Sequence, residues 1–342
     1  MVKICLLTRK RTKLTGFCTD IYLYQKYLDA DVYLVGNKKI YTQGKINKED
    51  YKFLQNYDYI ILLEQTLYSH IISSNFENLR HKLKFIFMPN QEIKYLDKIS
   101  DNNRYDNIDY ILAKTNLIRN KYESKDNVNL NVIYTKHTSI DLKNYIIYNM
   151  LDYKNKVIHN NKFFFKIKPH NYTIENPLPT FIHLSSSGWK NTKLICKYWK
   201  SNPRLPLLTI LTQDNNYIQE YKERKYSNIL VITKWVTEEE KIKLLLKNLF
   251  HICFSEAEGF GHCINESRSL GRIVITRDEA PMNELIDESC GIIGKHFGRC
   301  ISECLCMTQV RKNILMKNVR KRFEKDNNFF INSISNFKKS LE

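Results

Sequence analysis

The sequence predicts an α/β fold of two halves, each holding a parallel sheet with helices on both of its faces. Short runs rich in β-branched and aromatic residues alternate with segments of helix length along most of the chain. The alternation is interrupted once, over residues 141–178, and then restarts. Hydrophobic residues make up 43% of the 342 residues, which is enough for two cores of ordinary domain size.

The first half holds several runs with the length and composition of strands. These predicted strands are residues 2–7, 31–35, 59–63, 85–88, 110–113 and 132–135. The helices predicted between them are residues 17–28, 65–80 and 116–124. Because strands separated by helices pair in parallel, the first domain is expected to be a Rossmann-like unit spanning residues 1–140.

The segment 141–178 is rich in Asn, Lys and Tyr and ends in Pro177-Leu178-Pro179, which predicts a linker with some packed structure. The strands predicted after it are residues 180–184, 207–211, 229–233, 251–254, 272–276 and 291–293. The helices predicted there are residues 191–200, 217–224, 237–248, 262–270 and 308–325. The second domain is therefore assigned to residues 179–325, followed by a C-terminal helix or tail over 326–342.

The net charge of +18 has two interpretations. Lysine is spread along the whole chain together with abundant Asn, Ile and Tyr, a usage typical of AT-rich genomes such as those of some large DNA viruses. The alternative is a basic surface for an anionic partner, either nucleic acid or an anionic membrane. Nucleic-acid binding predicts basic residues clustered on one face with stacking aromatics, and the dispersed lysines do not favour it.

The cysteines and the first residues of the chain indicate the cellular compartment in which we expect the protein. The nine cysteines are an odd number and are scattered, several of them in predicted strands, as expected for buried free thiols in a reducing compartment. No run of about eighteen apolar residues predicts a membrane-spanning helix. Arg9-Lys10-Arg11 follows the first apolar run, whereas a signal peptide carries its charges before that run. We therefore expect a cytoplasmic protein.

The most informative motif is Glu258-Gly259-Phe260-Gly261, followed by Glu266. A strand is predicted before it and a helix after it, so the two glycines lie where a strand turns into a helix. Backbone N–H groups at a helix N-terminus favour an anion, and the missing Cβ atoms let a phosphate approach. The two carboxylates can hold hydroxyl groups. Phosphate and polyol recognition at one place predicts a nucleotide-sugar site.

This motif, continued by residues 265–276 and 280–285, resembles the E-x7-E signature of retaining glycosyltransferases of family 4. The resemblance implies the GT-B fold, in which two Rossmann-like domains with parallel sheets face each other across a cleft and the last helix crosses back. It also implies a hexosyltransferase that uses a nucleotide-diphosphate sugar with retention of anomeric configuration. By this resemblance Glu258 contacts the donor sugar, Glu266 holds the ribose, and the backbone of Gly259, Phe260 and Gly261 contacts the donor.

A second segment, Ser185-Ser186-Ser187-Gly188-Trp189-Lys190, resembles the family's strand-to-helix turn that binds the donor diphosphate. The resemblance implies that Lys190 neutralises the leaving phosphate and that Ser187 contacts the donor. Many family members place an arginine just after this strand, where this chain has only serines. A serine hydroxyl or a basic residue of the other domain could replace that arginine.

The first half offers weaker candidates. Gly16 stands between the first strand and the first helix, where GT-B enzymes carry a glycine loop that faces the donor phosphates. Asn90, Gln91 and Glu92 follow a predicted strand, and strand ends of open parallel sheets are where ligands bind, so they are candidates for the cleft and the acceptor. His137 follows the last strand of this half and is a further candidate. A helix cap is the alternative at residues 90–92.

No metal or other cofactor is expected, since the resemblance implies that protein groups stabilise the diphosphate. The cluster His296, Cys300, Cys304 and Cys306 lacks the paired C-x2-C spacing of zinc sites and predicts a helix with buried thiols. The expected partners are a nucleotide sugar and an acceptor that is a glycan, a protein or a lipid, with peripheral membrane contact as a further option. The alternatives are a catalytically inactive GT-B domain, a basic nucleic-acid-binding protein, and a GT-B phosphorylase or sugar-nucleotide epimerase.

Overall fold

The computed structural model of the chain describes residues 2–9, 16–35, 48–63, 76–79, 81–89, 108–124, 130–136, 138–149, 157–159, 165–169, 177–185, 188–212 and 226–342. Two compact units are present. The first unit comprises Met1–Ser139, Tyr148–Lys166 and Asp326–Glu342, and the second comprises Ile140–Ile147 and Ile167–Lys325.

The first unit is built on a seven-stranded sheet. Its strands are β1 (Ile4–Arg9), β2 (Asp31–Val35), β3 (Tyr59–Leu63), β4 (Lys84–Met88), β5 (Tyr110–Ala113), β6 (Asn131–Tyr134) and β8 (Val157–Ile158). They lie in the order β6-β5-β4-β3-β1-β2-β8, and all neighbouring strands are parallel except the antiparallel pair β2–β8. The central strands are buried along nearly their whole length, as expected for a parallel sheet covered on both faces.

Three described α-helices accompany this sheet: α1 (Gly16–Leu28), α2 (Lys48–Leu54) and α3 (Asn116–Glu123). The sequence favours the start of α3 because the Thr115 side chain accepts a hydrogen bond from the Ile118 N–H at 3.2 Å, an N-cap. A 3-10 helix spans Glu77–Leu79, and residues 65–75 of the predicted helix 65–80 lie outside the described residues.

The second unit holds a six-stranded, fully parallel sheet. Its strands are β10 (Leu178–Ser185), β11 (Leu208–Thr212), β12 (Ile229–Ile232), β13 (Asn248–Cys253), β14 (Ile273–Arg277) and β15 (Ile292–Gly294). They lie in the order β12-β11-β10-β13-β14-β15. The chain builds outward from β10 to one side and then from β13 to the other, so the direction reverses between these two strands, which is the topological switch point.

The described α-helices of this unit are α4 (Thr192–Ser201), α5 (Glu238–Lys247), α6 (His262–Ser269), α7 (Met282–Leu285) and α8 (Phe297–Cys306). The sequence favours the start of α5 because Thr237 and Glu240 form a reciprocal capping box. Helix α8 is the predicted thiol helix, with Cys300 and Cys304 buried. The predicted helix 217–224 lies outside the described residues.

The last helix, α9 (Gln309–Leu341), is longer than the predicted helix 308–325. Its part up to Lys325 belongs to the second unit and the rest to the first unit. In the first unit the Phe330 ring contacts Tyr24, with ring centroids 5.6 Å apart, and the Phe337 ring contacts Tyr110 at 5.5 Å. The prediction of a C-terminal helix that returns to the first domain is confirmed.

Within its described residues, the segment 141–178, predicted as a linker with some packed structure, contains three complete strands. Besides β8, these are β7 (Tyr145–Asn149) and β9 (Phe165–Pro169), which pair in a two-stranded sheet. Strand β8 extends the first sheet, and the first unit includes the described residues 148–149, 157–159 and 165–166 of this segment. No described helix is long and apolar enough to cross a membrane.

Candidate functional site

Two strand-to-helix junctions of the second unit lie side by side. Strand β10 leads through a 3-10 turn, Gly188–Lys190, into α4, and β13 leads through residues 254–261 into α6. The two strands are parallel neighbours, with His183 opposite Ile252, so their carboxyl ends meet at one edge of the sheet. This edge is the switch point, where open α/β sheets bind their ligands.

The first junction is held by a buried histidine. His183 Nδ1 lies 2.9 Å from the Ile252 carbonyl oxygen, and its Nε2 lies 2.9 Å from the Thr192 hydroxyl. Burial lowers the pKa of His183 to about 4, so the ring is neutral at neutral pH. A carbonyl can only accept, so Nδ1 carries the proton and Nε2 accepts from Thr192. The histidine therefore ties β10 both to β13 and to the start of α4.

The turn that presents Lys190 is fixed from both sides. The Glu256 N–H donates to the Trp189 carbonyl at 2.8 Å, which joins the two junctions directly. Asn191 has a left-handed backbone, with φ of 56°, and its side-chain amide donates to the Phe254 carbonyl at 3.1 Å. These contacts hold the lysine above the carboxyl ends of β10 and β13.

The second junction depends on a glycine. Gly261 precedes α6 with φ of 75°, in the left-handed region that favours glycine, and a Cβ there would lie 3.2 Å from the Ile264 side chain. The Phe260 ring is buried in the core with Ile264. Any donor contact made by Phe260 would therefore come from its backbone.

Lys190 and Glu258, which the sequence analysis selected separately, form an ion pair. Glu258 also accepts a hydrogen bond from the Ser255 hydroxyl at 2.6 Å. The two charged side chains are 12% and 8% exposed, so the pair is nearly shielded from solvent. Burial acts to lower the pKa of Lys190, but Cys263 and Glu258 together raise it above its ordinary value. The lysine therefore stays charged at neutral pH.

Cys263 completes this cluster and was not selected from the sequence. Its Sγ lies 3.4 Å from Lys190 Nζ and 3.9 Å from Glu258 Oε1. A hydrogen bond with the Cys253 thiol lowers the pKa of Cys263, burial opposes this, and the Lys190 ammonium lowers it further. Cys263 follows the motif by two residues, but sequence alone did not show that its thiol meets the lysine.

Glu266 has a different cation as its partner. The Lys241 ammonium of α5 lies 3.1 Å from Glu266 Oε1 and 2.8 Å from Glu238 Oε2. Burial acts to lower the pKa of Lys241, but the two carboxylates raise it above its ordinary value. Glu266 follows Cys263 by three residues, so both lie on one face of α6. The Lys190 cluster and the Lys241–Glu266 pair therefore lie along the same helix.

Of the candidates in the first unit, the structure describes Gly16. Gly16 begins α1, as expected for a glycine between β1 and the first helix. Asn90, Gln91, Glu92, His137 and Ser187 lie outside the described residues, so their roles stay predictions.

Two aspartates with an Asp-x-Asp spacing, in Asp29-Ala30-Asp31, lie at the amino end of β2. Asp31 accepts from the Tyr57 hydroxyl at 2.7 Å and lies 3.1 Å from His159 Nδ1. All four of Asp29, Asp31, Tyr57 and His159 line a cavity of about 370 Å³. Within the described part of the chain, no three His, Cys, Asp or Glu side chains are grouped to hold a metal ion.

Comparison with solved structures identifies the fold of the chain. HepE from Anabaena, solved with UDP-glucose, is similar over 98% of both chains, with a TM-score of 0.70 and 13% identity. Sucrose-phosphate synthase from Thermosynechococcus elongatus matches 99% of this chain and 98% of its own, with a TM-score of 0.68 and 11% identity. The lipopolysaccharide outer core galactosyltransferase WaaB matches over 98% of both chains, with a TM-score of 0.61 and 11% identity.

The chain has the GT-B fold of these glycosyltransferase structures. No protein-family model and no curated protein sequence matches it. At 11–13% identity the likeness establishes the fold, so the activity must be argued from the site.

Proposed function

We propose that this protein is a glycosyltransferase that moves a sugar from a nucleotide-diphosphate sugar to an acceptor, with retention of anomeric configuration. The observation that carries the proposal is the buried Lys190–Glu258 pair at the switch point of the second unit. A cation held there can receive a diphosphate, and a carboxylate beside it can receive a sugar hydroxyl. HepE, which shares the fold, was solved in complex with UDP-glucose, and this supports UDP-glucose as the first donor to test.

The pairing suggests how a donor would bind. Lys190 and Glu258 satisfy each other, so an incoming diphosphate must compete with the carboxylate for the ammonium. Once Lys190 turns to the phosphate, Glu258 is free to accept a hydrogen bond from the sugar. After the exchange Lys190 faces the charge of the phosphate, and Glu258 keeps the hydrogen bond from the Ser255 hydroxyl and gains one from the sugar, so neither buried charge is left without a polar partner.

Lys190 would then act while the bond to the sugar breaks. Negative charge builds on the leaving diphosphate, and a prepositioned cation in a site shielded from water stabilises it strongly. The N-terminus of α6 adds backbone N–H groups that have no partner within the helix and can point to a phosphate oxygen. Glu266, oriented by Lys241, would hold the ribose hydroxyls.

Neither a resident metal nor a protein general base is part of the proposal. Lys190 and the α6 N-terminus would supply the positive charge that a metal gives to other sugar transferases. The leaving phosphate can assist deprotonation of the acceptor on the same face of the sugar, which is consistent with retention. The acceptor, assigned to a glycan, a protein or a lipid, and its contacts with residues 90–92 and 137 remain predictions.

Product analysis tests the proposal. The protein is incubated with UDP-glucose and a panel of other nucleotide sugars, and nucleoside diphosphate release and the anomeric configuration of the product are followed by NMR. Lys190→Met should lower turnover by roughly a hundredfold. The matched control is Lys193→Met, an exposed lysine three residues further along.

Three outcomes would contradict the proposal. Equal turnover of the two lysine variants would place the diphosphate elsewhere. Binding of nucleotide sugars without any turnover would favour a catalytically inactive GT-B domain. Loss of activity in a chelator, restored by Mg²⁺ or Mn²⁺, would contradict the metal-free mechanism.

A further inference from the structure

Helix α9 carries an unusual exposed face. Val310, Ile314, Lys317, Lys321 and Lys325 follow one another at spacings of four, three, four and four residues, and all five are exposed. This spacing places them on one side of an α-helix, in a band about 22 Å long at 1.5 Å per residue. We call these five residues the stripe.

The opposite side of the helix is packed. Leu315, Val319 and Phe323 are at most 1% exposed and face the interior of the second unit. Val310 is 69% exposed and Ile314 is 48% exposed, so these aliphatic side chains do not belong to that core. Val310 is the most exposed large hydrophobic residue in the described part of the chain. Leu305, five residues before Val310, is 46% exposed and adds to the apolar surface.

Among the described residues, no ion pair involves a lysine of the stripe. The neighbouring carboxylate, Glu324, accepts from Arg320 at 2.8 Å, so it is paired with an arginine outside the stripe. A lysine-rich composition explains lysines anywhere on the surface, but it does not explain two exposed aliphatic residues continuing the same line. The stripe therefore combines an apolar end with a run of three positive charges.

We propose that the stripe docks the protein on an anionic membrane surface. On such a surface Val310 and Ile314 enter the boundary between headgroups and acyl chains, while the lysines remain at the level of the anionic headgroups. The five residues of the stripe include no aromatic side chain on which single-stranded nucleic acid could stack, and the nearby exposed Phe329 already contacts the Tyr134 ring, with centroids 5.8 Å apart. A second copy of the chain would bring two rows of lysines together, which like-charge repulsion opposes. The proposal is independent of the sugar-transfer chemistry.

Vesicle sedimentation tests it with the full-length protein. Wild type should bind vesicles of phosphatidylcholine mixed with phosphatidylserine, should bind phosphatidylcholine alone much more weakly, and should be released by added salt. The variant Lys317→Glu/Lys321→Glu/Lys325→Glu should bind the anionic vesicles at least roughly a hundredfold more weakly, at about tenfold for each 1.4 kcal/mol. Val310→Ser/Ile314→Ser should weaken binding by roughly tenfold and keep the salt dependence.

The matched control reverses three other exposed lysines of the same unit, in Lys193→Glu/Lys197→Glu/Lys247→Glu. It has the same net charge as the stripe variant, so a general charge effect would weaken both equally. All substituted residues are exposed, so thermal unfolding should be nearly unchanged and serves as the check of folding.

Several results would overturn the proposal. One is equal vesicle binding by the stripe variant and the control variant. Another is stripe-dependent binding to single-stranded nucleic acid with no vesicle binding, which would make the lysines a nucleic-acid surface. A third is a wild-type dimer that Val310→Ser/Ile314→Ser converts to monomer, which would assign the stripe to a second copy of the chain.

Discussion

At the scale of single residues, the central feature is the buried ion pair of Lys190 with Glu258. A buried lysine without a counter-charge would be costly, so the resting site must pair it. In the proposed function the same carboxylate would compete with the incoming phosphate for the ammonium. Donor binding would therefore be an exchange of partners, to which each residue makes a separable contribution.

Glu266→Gln should weaken nucleotide binding. The substitution removes the charge that pairs with Lys241 and replaces a carboxylate, which can accept from two ribose hydroxyls, by an amide with one acceptor. Loss of a charge-assisted hydrogen bond costs on the order of 1.5–3 kcal/mol, so the Kd for UDP should rise by about ten- to a hundredfold. Calorimetric titration measures it, with Glu239→Gln of α5 as the control. An unchanged Kd in a folded Glu266→Gln variant would remove Glu266 from the ribose site.

Cys263 should report on occupancy of the site. Its lowered pKa favours the thiolate, which displaces iodide from iodoacetamide to form a thioether. A diphosphate beside Lys190 would cover the thiol, so UDP should slow alkylation of Cys263. Cys306 is exposed and distant in sequence, and its alkylation should not change. Peptide mass spectrometry separates the two sites, and equal rates at Cys263 with and without UDP would place the nucleotide elsewhere.

At the scale of secondary-structure elements, two buried histidines hold the second unit together. His183 joins β10 to β13 and α4, and His251 of β13 lies 2.6 Å from the Ser267 hydroxyl of α6. Burial lowers the pKa of His183 to about 4 and that of His251 to about 3. Both histidines are at most 2% exposed, so solvent screening reduces these effects little.

The second unit should therefore lose stability in mild acid. In the unfolded chain both histidines bind a proton near pH 6.5. In the folded chain His183 binds its proton only near pH 4 and His251 only near pH 3. The stability is thus complete above pH 6.5 and falls as the pH is lowered, by about 3 kcal/mol for His183 and by about 5 kcal/mol for His251. Thermal unfolding measured across this range should show the loss. His183→Asn should reduce the pH slope by about one proton, whereas His296→Asn, on an exposed residue, should not. A slope that is the same in both variants would contradict the assignment.

The elements of the site were largely predictable from sequence, and its side-chain contacts were not. Apolar runs located β10 and β13, and the glycines located the turn before α6, because these patterns are local. Lys190 contacts Glu258 because both residues follow strand ends and because those strands, β10 and β13, are neighbours in the sheet. The sequence predicts the strand ends but not which strands are neighbours. Lys241 gave no local signal, since α5 is adjacent to α6 only in the folded unit. His183 stands in the sequence as one polar residue in an apolar strand.

At the scale of the whole molecule, α9 contributes to both units. Its buried residues continue at helical spacing from Leu315 through Phe323 to Phe330 and Phe337. The sequence predicts a helix over 308–325 followed by a helix or tail over 326–342, and the structure has one continuous helix there. Asp326 lies on the buried side and pairs with Lys136 at 2.8 Å, so a polar residue continues the packed face. From the sequence alone, Asp326 cannot be recognised as buried, because its partner Lys136 is distant in the chain.

Truncation after Lys325 should destabilise the first unit. The truncated chain lacks Phe330, Ile334 and Phe337, which are at most 3% exposed in the first unit. Burial of each such side chain contributes roughly 1.5–3 kcal/mol, and the total approaches the 5–15 kcal/mol stability of an ordinary domain. Aggregation or early thermal unfolding is expected.

A single substitution tests the same contacts if the truncated protein does not fold. Phe330→Ala should lower the free energy of unfolding by about 3–5 kcal/mol, while Asn328→Ala, on the exposed side, should have little effect. Denaturant unfolding measures both. If the truncated protein melts like wild type, the end of α9 does not contribute to the core.

The central claim is that a nucleoside diphosphate binds at Lys190 by displacing Glu258. The most direct measurement is calorimetric titration of UDP into wild type, Lys190→Met and Glu258→Gln. Lys190→Met should weaken binding at least about tenfold, since a charge-assisted contact to phosphate is lost. Glu258→Gln should tighten UDP binding, because the carboxylate that competes for Lys190 is gone, while turnover of the sugar donor falls. Unchanged UDP binding in Lys190→Met, or weaker UDP binding in a folded Glu258→Gln variant, would contradict the account.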